Sequence, residues 1–246
     1  MVDHLFADAE LAALYDALCP RDQRADFDFH LPLVMAAQSV LDVGCGTGAL
    51  LHEARDAGHT GRLCGLDPAD GMLAQARRRA DVEWVRGDLS SAAWAGEFDL
   101  VVMTGHAFQA LVEDDEVRAA LAAVRAALTD DGAFAFETRN PLARAWTSWT
   151  PDHPTCLTDA DGAPVRMVRQ VTAPFDVRTV GFTHSFTGPG WAQPRVSRST
   201  LRFLDPPTLA AFLAAAGLIV AEQYGDWDRS PLTEVSPEII TLARRA

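Results

Sequence analysis

The stretch SVLDVGCGTGALL, residues 39–51, places three glycines within five positions directly after a short apolar run. A glycine inside a helix or strand is less stable than alanine by roughly 0.5–1 kcal/mol. Gly44, Gly46 and Gly48 therefore indicate a turn in which the bare backbone is needed. The apolar run before them predicts a strand, and GALLHEARDAG after them predicts a helix that ends near Gly58.

The alternation of strands and helices continues along the chain. GRLCGLDP, VEWVRGDL, FDLVVMTG and AFAFETRNP predict further strands, and ADGMLAQARRRA and DDEVRAALAAVRAALTDDG predict helices. Such spacing is typical of a parallel sheet that is covered by helices on both faces. LIVAEQYGDW and EIITLARRA add strands near the C-terminus. We therefore predict an α/β fold with a Rossmann-like, seven-stranded, mostly parallel sheet.

The pattern changes after Pro141. The runs PVRMVRQVTAPF, VRTVGFTHSFTG and VSRSTLRFLD alternate in polarity without helices between them, which predicts an antiparallel insertion after the fifth strand. Residues 7–19 predict a helix that precedes the core. We expect one domain over 1–246, with a helical lid (1–38), a cofactor-binding core (39–140), the insertion (141–205) and a C-terminal completion of the sheet (206–246).

Charge and cysteine content narrow the class of partner. The chain has 34 acidic and 21 basic side chains, a net charge of −13, which disfavours nucleic acid as a partner. Four cysteines without paired spacing favour reduced thiols and no metal site. The N-terminus lacks the features of a secretory signal, and no apolar run approaches the roughly 20 residues of a membrane helix. We expect a cytoplasmic protein without membrane contact. The sequence leaves open whether the protein forms a homodimer.

Two classes of ligand use a glycine-rich turn between a strand and a helix, because unpaired N–H groups point at the ligand there. Dinucleotide enzymes have G-x-G-x-x-G. Here the spacing is G-x-G-x-G, and Ala49 occupies the position of the third dinucleotide glycine. Asp42 adds a negative charge that is unfavourable beside a pyrophosphate but suits an ammonium group. The pattern argues against a nicotinamide dinucleotide.

VLDVGCGTG resembles the nucleoside-binding motif of class I S-adenosylmethionine-dependent methyltransferases of the small-molecule type. The resemblance covers roughly residues 40–140, with an acid at the end of the second strand and GD after the third. It implies S-adenosyl-L-methionine as cofactor and S-adenosyl-L-homocysteine as product. The implied reaction is in-line methyl transfer to an N or O atom of a small-molecule acceptor. The alternative is a cofactor-binding protein of the same fold without methyl transfer, such as a sensor or structural partner.

The resemblance also implies roles for individual residues. The three glycines line the methionine and ribose portion of the cofactor, and Asp42 lies near its amino group. Asp67 accepts the ribose hydroxyls, or is an ordinary turn residue. Met72 packs on the adenine ring or only fills the core. Asp88 takes the adenine amino group, with the Leu89 N–H on a ring nitrogen, or is a solvated loop acid. The implied cofactor-binding set is Asp42, Gly44, Cys45, Gly46, Gly48, Asp67, Pro68, Met72, Asp88, Leu89 and Thr104.

Candidates for the acceptor side follow the fourth and fifth strands. His106 comes just after the fourth strand, where open α/β sheets bind ligands, and its imidazole is a candidate catalytic base or a locally packed side chain. Glu137 and Arg139, in FETRNP at the end of the fifth strand, either orient a polar substrate or pair with one another. DFDFH, residues 26–30, resembles the N-terminal lid of small-molecule methyltransferases. The predicted substrate-binding set is Tyr15, Phe29, His30, Glu137 and Arg139.

The insertion resembles a substrate-covering element of glycine and amino-sugar N-methyltransferases. Its aromatic side chains either cover an apolar acceptor pocket or attach the insertion to the core. These side chains are Phe175, Phe182, Phe186, Trp191 and Phe203. His184 on the same strand face is expected in the core.

Overall fold

A computed structural model describes residues 2–173, 176 and 178–246, so Phe175 of the predicted aromatic set lies outside the described residues. The helix predicted over 7–19 is three short helices, α1 (His4–Ala7), α2 (Ala9–Ala13) and α3 (Tyr15–Leu18). Asp8 causes the first break, since its extended backbone lets its carboxylate cap α2 by accepting the N–H groups of Glu10 and Leu11. A longer helix, α4 (Ala25–Ala36), leads to the sheet.

The first half of the core alternates strands and helices as predicted. Its elements are β1 (Ser39–Val43), α5 (Ala49–Asp56), β2 (Arg62–Asp67), α6 (Asp70–Ala76), β3 (Glu83–Arg86), β4 (Phe98–Met103), α7 (Asp114–Ala127) and β5 (Leu128–Arg139). The sequence predicted that α7 continues to Gly132, but the chain enters β5 at Leu128. The last carbonyl groups of α7 bind the loop before β4, since Gly96 and Glu97 donate their N–H groups to the carbonyl oxygens of Ala126 and Ala127.

The insertion is an antiparallel sheet of four strands, one more than predicted. Its strands lie side by side in chain order, as β6 (Thr155–Thr158), β7 (Pro164–Ala173), β8 (Thr179–Thr187) and β9 (Arg195–Arg202). The unpredicted strand β6 is a short edge strand that pairs with β7. Alternate residues of β8 are buried from Val180 to Phe186, which confirms the predicted face.

After the insertion, α8 (Pro206–Ala215), β10 (Leu218–Tyr224) and β11 (Glu238–Arg245) complete the core. The strand order is β10-β11-β5-β4-β1-β2-β3, with β11 antiparallel to both neighbours and the remaining pairs parallel. This arrangement confirms the predicted fold class. One face of the sheet packs Phe98 and Phe136 against α7 and α8, and the other packs Val102 against α4 and α5.

The N-terminal helices connect the insertion to the core. Leu11 and Leu14 pack with Phe186 of β8, and the N–H of Leu5 donates to Ser197 Oγ at 2.9 Å. On the other side α1 and α2 lie against α6, and a Cβ on Gly71 of α6 would lie 2.7 Å from the carbonyl oxygen of Phe6 in α1. The N-terminal helices therefore lie between the insertion sheet and the core helix α6.

Candidate functional site

The turn between β1 and α5 has a backbone that glycine adopts readily. Gly44, Gly46 and Gly48 have φ of +73°, +56° and +77°, a region that strains residues with a Cβ. A Cβ on Gly44 would lie 2.9 Å from Cβ of Ala107, but a Cβ on Gly46 would find no atom nearer than Met72 Sδ at 4.0 Å. The turn is therefore packed at Gly44 and leaves open space beside Gly46, where a ligand can contact the backbone.

Asp67 ties the end of β2 to this turn. Its Oδ2 accepts the N–H of Gly46 at 2.9 Å, and its Oδ1 accepts the N–H of Ala69 at 2.8 Å. The bond to Ala69 forms a local turn, so Asp67 also has the role of a turn residue that the sequence analysis left as an alternative. Each carboxylate oxygen keeps a further lone pair, so both oxygens can also accept a ligand hydroxyl. Binding of a ribose here stays a prediction.

Asp42, at the end of β1, has a deeply buried side chain. Only 1% of the residue is exposed, and its Oδ1 has no hydrogen-bond donor among the residues that the structure describes. Burial is the main cause that raises the pKa of Asp42 to about 7; Arg24 opposes the rise, and the nearby acid Asp67 adds to it. A buried acceptor of this kind calls for a ligand donor. A cationic group, such as an ammonium, fits it.

A pocket lies beside the turn. From the predicted cofactor set it is lined by Asp42, Gly44, Cys45, Gly46 and Thr104. From the N-terminal segment it is lined by Tyr15, Arg24 and Phe27. Of the predicted substrate set only Tyr15 reaches it. Phe29 packs edge-on against Tyr224 and Trp227 instead.

Arg24 was missed by the sequence analysis because it belongs to no motif and lies two residues before the DFDFH stretch of the predicted lid. Its Nε and Nη2 donate to the Asp26 carboxylate at 2.9 and 2.7 Å, and its Cζ lies 3.9 Å from the ring centroid of Phe27. These contacts fix the guanidinium at the pocket wall. Its Nη1 makes no hydrogen bond within the described part of the chain and can donate to an anionic ligand group.

The residues predicted for the adenine end lie outside this pocket. Met72 is buried with Ala12 and Ala69. Asp88 is exposed, and its Oδ1 accepts the N–H groups of Ser90 and Ser91 at 2.9 and 3.2 Å. Leu89 is buried, Pro68 is exposed, and Gly48 packs against Trp84. The roles of Met72, Asp88 and Leu89 in holding adenine, and of Pro68 and Gly48 in the rest of the cofactor site, stay predictions.

Glu137 joins the lid to the loop after β4. Its Oε2 lies 3.0 Å from Nε2 of His30, with both side chains fully buried, and its Oε1 accepts the N–H of His106 at 2.8 Å. Arg139 does not pair with Glu137; its Nη1 donates to Gln109 Oε1 at 2.9 Å. The alternative that these two residues of β5 pair with one another is therefore wrong.

His106 is bound to a residue that the sequence analysis missed, Glu238 of β11. The distance from His106 Nε2 to Glu238 Oε2 is 2.9 Å. Burial lowers the pKa of His106 to about 3 and raises that of Glu238 to about 8. At neutral pH the carboxyl group therefore keeps its proton and donates it to the neutral imidazole. Since 132 residues separate the two, no local pattern indicates this pair.

Among the residues with described positions, no helix is long and apolar enough to cross a bilayer, and no group of His, Cys, Asp or Glu side chains has the arrangement of a metal site.

The seven-stranded sheet, the open glycine turn and the acids Asp42 and Asp67 at its rim fit the nucleoside cofactor that the sequence resemblance implies. Residues 40–132 match the family described as a methyltransferase domain. The chain is 28% identical, over 90% of its length and 75% of the relative's, to a ubiquinone biosynthesis O-methyltransferase of Methylobacterium sp.. The chain spans about half the length of the first curated relatives it matches.

Solved structures share the complete architecture. The CcbJ methyltransferase of Streptomyces caelestis has a TM-score of 0.77 at 22% identity, covering 98% of both chains. The S-adenosylmethionine-bound amino pentose methyltransferase CalS10 of Micromonospora echinaspora has a TM-score of 0.64 at 27% identity, over 92% of this chain and 91% of that one. Residues 40–132 therefore carry a methyltransferase domain, and the relatives and structural neighbours are consistent with a class I S-adenosylmethionine-dependent methyltransferase.

Proposed function

We propose that the protein transfers a methyl group from S-adenosylmethionine to a nitrogen or oxygen atom of a small-molecule acceptor. The observation that carries this proposal is the unpartnered carboxylate of Asp42 beside the open backbone of Gly46. The carboxylate suits the ammonium group of the cofactor, and the free face of the glycine admits the cofactor against the turn. Similarity to methyltransferases along nearly the whole chain supports the same conclusion.

Residues of this chain would hold the cofactor at both ends. Asp42 would bind its ammonium group, and Arg24 would bind its carboxylate through the free Nη1. Asp67 would accept the ribose hydroxyls, and Met72 and Leu89 would contact the adenine. When bound, the cofactor supplies a sulfonium methyl group with an excellent leaving group. The remaining task of the protein is to orient the acceptor and exclude water.

The lid and the insertion perform that task. Tyr15 and Thr104 line the pocket near the rim of the sheet, and the helices α1–α3 join the insertion above it. An acceptor that arrives protonated needs a base. We assign this role to the pair of His106 and Glu238, which can take up the acceptor's proton only when the Glu238 carboxyl is ionised, at a pH near or above the pKa of about 8 of that carboxyl.

Calorimetric titration with S-adenosylhomocysteine tests the binding half of the proposal. Gly46→Arg should abolish binding, because the side chain enters the open space and strains a backbone at φ +56°. Asp67→Ala should weaken it strongly. Gly190→Arg is the matched control, since Gly190 is exposed and a Cβ there would find no atom within 4 Å. Undetectable binding by the unaltered protein at millimolar ligand contradicts the proposal.

Transfer of a labelled methyl group into a metabolite extract tests the catalytic half. A labelled small-molecule product is expected. Cofactor binding without any labelled product favours the alternative of a sensor or structural partner.

A further inference from the structure

Two arginines from different parts of the fold meet on one aromatic ring. Arg139 ends β5 of the core, and Arg169 lies on β7 of the insertion. Their Cζ atoms lie 5.5 and 5.2 Å from the ring centroid of Trp149. Trp149 is itself buried against Phe182, with ring centroids 4.8 Å apart. This packing holds both guanidinium groups in defined positions, which reduces the entropy lost when they bind a ligand.

Neither arginine forms an ion pair with an acid within the described ranges. Arg139 donates to the neutral Gln109, and Nε of Arg169 donates to Nε2 of His184 at 3.0 Å. By contrast Arg195 of the same insertion pairs with two carboxylates, at 3.2 and 2.5 Å. In a chain with 34 acidic residues, two neighbouring arginines without a directly bound counter-ion require a reason. Two neighbouring positive charges in a partly buried environment repel each other unless an anion binds between them.

The protonation of the surroundings agrees with such an anion. Burial lowers the pKa of both Arg139 and Arg169, and the charge of Arg169 lowers the pKa of Arg139 further. Because Nε2 of His184 accepts from Arg169, its proton resides on Nδ1, which is buried and has no partner in the described structure. A third donor near the arginines is therefore unsatisfied. Burial also lowers the pKa of His184 to about 3, so it stays neutral.

The pair lies next to the pocket described above. Both guanidinium groups lie near enough to Tyr15 that its ionised form would raise their pKa values, and Tyr15 lines the pocket together with Thr104 and Gly105. A molecule that contacts the two arginines can therefore extend toward the turn at Gly46. This is the side from which an acceptor has to approach.

We propose that Arg139 and Arg169 bind an oxyanion, a carboxylate or phosphate group, on the methyl acceptor. This inference rests on the proposed function for the identity of the ligand as an acceptor. Guanidinium groups recognise both oxyanions through paired, charge-assisted hydrogen bonds. The overall charge of −13 repels anions elsewhere on the surface, so a local site of two positive charges makes an anionic acceptor specific for this cleft.

Calorimetry at low ionic strength tests the site with two probes, inorganic pyrophosphate and succinate, and with sodium chloride as background. We expect one or both probes to bind, and the stronger of the two identifies the oxyanion. Arg169→Gln and Arg139→Gln should each weaken that binding about tenfold. Arg166→Gln should leave it unchanged, because Arg166 lies on the same strand but is exposed.

S-adenosylhomocysteine binding by each variant separates the possible failures. Variants that keep S-adenosylhomocysteine binding are folded. If Arg139→Gln loses this binding, Arg169→Gln in the insertion still tests the oxyanion site. Pyrophosphate and succinate binding no stronger than chloride, or equal loss in Arg166→Gln, overturns the oxyanion site while the proposed function stands. If the unaltered protein does not bind S-adenosylhomocysteine, the proposed function is contradicted. Binding of pyrophosphate or succinate then still decides whether the oxyanion site exists.

Discussion

The charge state of Asp42 should control cofactor affinity. Its pKa is about 7 before a ligand binds, whereas an ammonium ligand requires the ionised carboxylate. The ionised fraction at a pKa of 7 is about 0.09 at pH 6 and about 0.76 at pH 7.5. The association constant of S-adenosylhomocysteine should therefore increase roughly eightfold from pH 6 to pH 7.5.

Asp42→Asn isolates this effect, because the amide has nearly the shape of the carboxylate and does not titrate. The variant should bind about tenfold or more weakly at pH 7.5, since a hydrogen bond to a charged group contributes roughly 1.5–3 kcal/mol. Its affinity should change little with pH. Asp130→Asn is the matched control, because the Asp130 side chain is 95% exposed and should leave both properties as they are.

Calorimetric titrations at four pH values between 6 and 7.5 measure the effect, in one buffer mixture at constant ionic strength. The acids and bases that face Asp42 are Asp26, Asp67, Glu137 and Arg24, and none of them is altered in the variant. An equal pH slope in Asp42→Asn and the unaltered protein would assign the proton to another group. A flat profile in the unaltered protein would refute the contact between Asp42 and the ammonium.

Three further predictions concern catalysis and stability. His106→Ala should lower methyl-transfer turnover and leave S-adenosylhomocysteine affinity nearly unchanged; equal turnover reduces His106 to a structural role. The Glu238 carboxyl, with its pKa raised from 4.5 to about 8, binds a proton in the folded protein that the unfolded chain releases, so its contribution to stability is lost as pH rises from 4.5 to 8. In urea unfolding, the free energy of unfolding of Glu238→Gln should rise relative to that of the unaltered protein as pH increases over this range, because glutamine does not titrate. If the difference between the two proteins stays constant with pH, Glu238 is not buried as a neutral acid. Phe136→Ala should cost about 3–5 kcal/mol by the same method, because the fully buried ring stacks on Phe134 and Phe108; a loss below about 1 kcal/mol would show that the core closes around the vacancy.

The sheet and the glycine turn were predictable because their signals are local. Alternating apolar runs predict the strands, and the glycine spacing with Asp42 predicts the ligand class within about ten residues of sequence. The predicted elements are wrong where a contact with a residue distant in sequence determines the local structure. The helix over 7–19 breaks at Asp8, whose carboxylate also binds Arg195 of the insertion at 3.2 Å. The edge strand β6 exists because β7 pairs with it, and its four residues carry no alternation of their own.

The site divides in the same way. Motif residues at the carboxyl ends of β1, β2 and β4 were found, since each follows a strand that can be recognised. Arg24, Glu238 and Arg169 were missed because each acts through a neighbour that no local pattern indicates. Glu238 meets His106 only because β11 lies beside β5, and Arg169 meets Arg139 only because the insertion folds back over the rim.

The charged groups around the cleft are arranged in a way that would orient an acceptor. The acids Asp42 and Glu137 lie near the carboxyl ends of β1 and β5, whereas Arg139 and Arg169 lie together on Trp149. With its oxyanion on the two arginines, an acceptor bearing an amine or hydroxyl turns that group toward the acids and the pair of His106 and Glu238. Because methyl transfer depends on alignment more than on acid–base chemistry, this fixed polarity would supply most of what the protein contributes. A neutral analogue that lacks the oxyanion should then react with a lower kcat as well as a higher KM, since it loses orientation along with binding. An unchanged kcat for such an analogue would show that the arginines only bind and do not align.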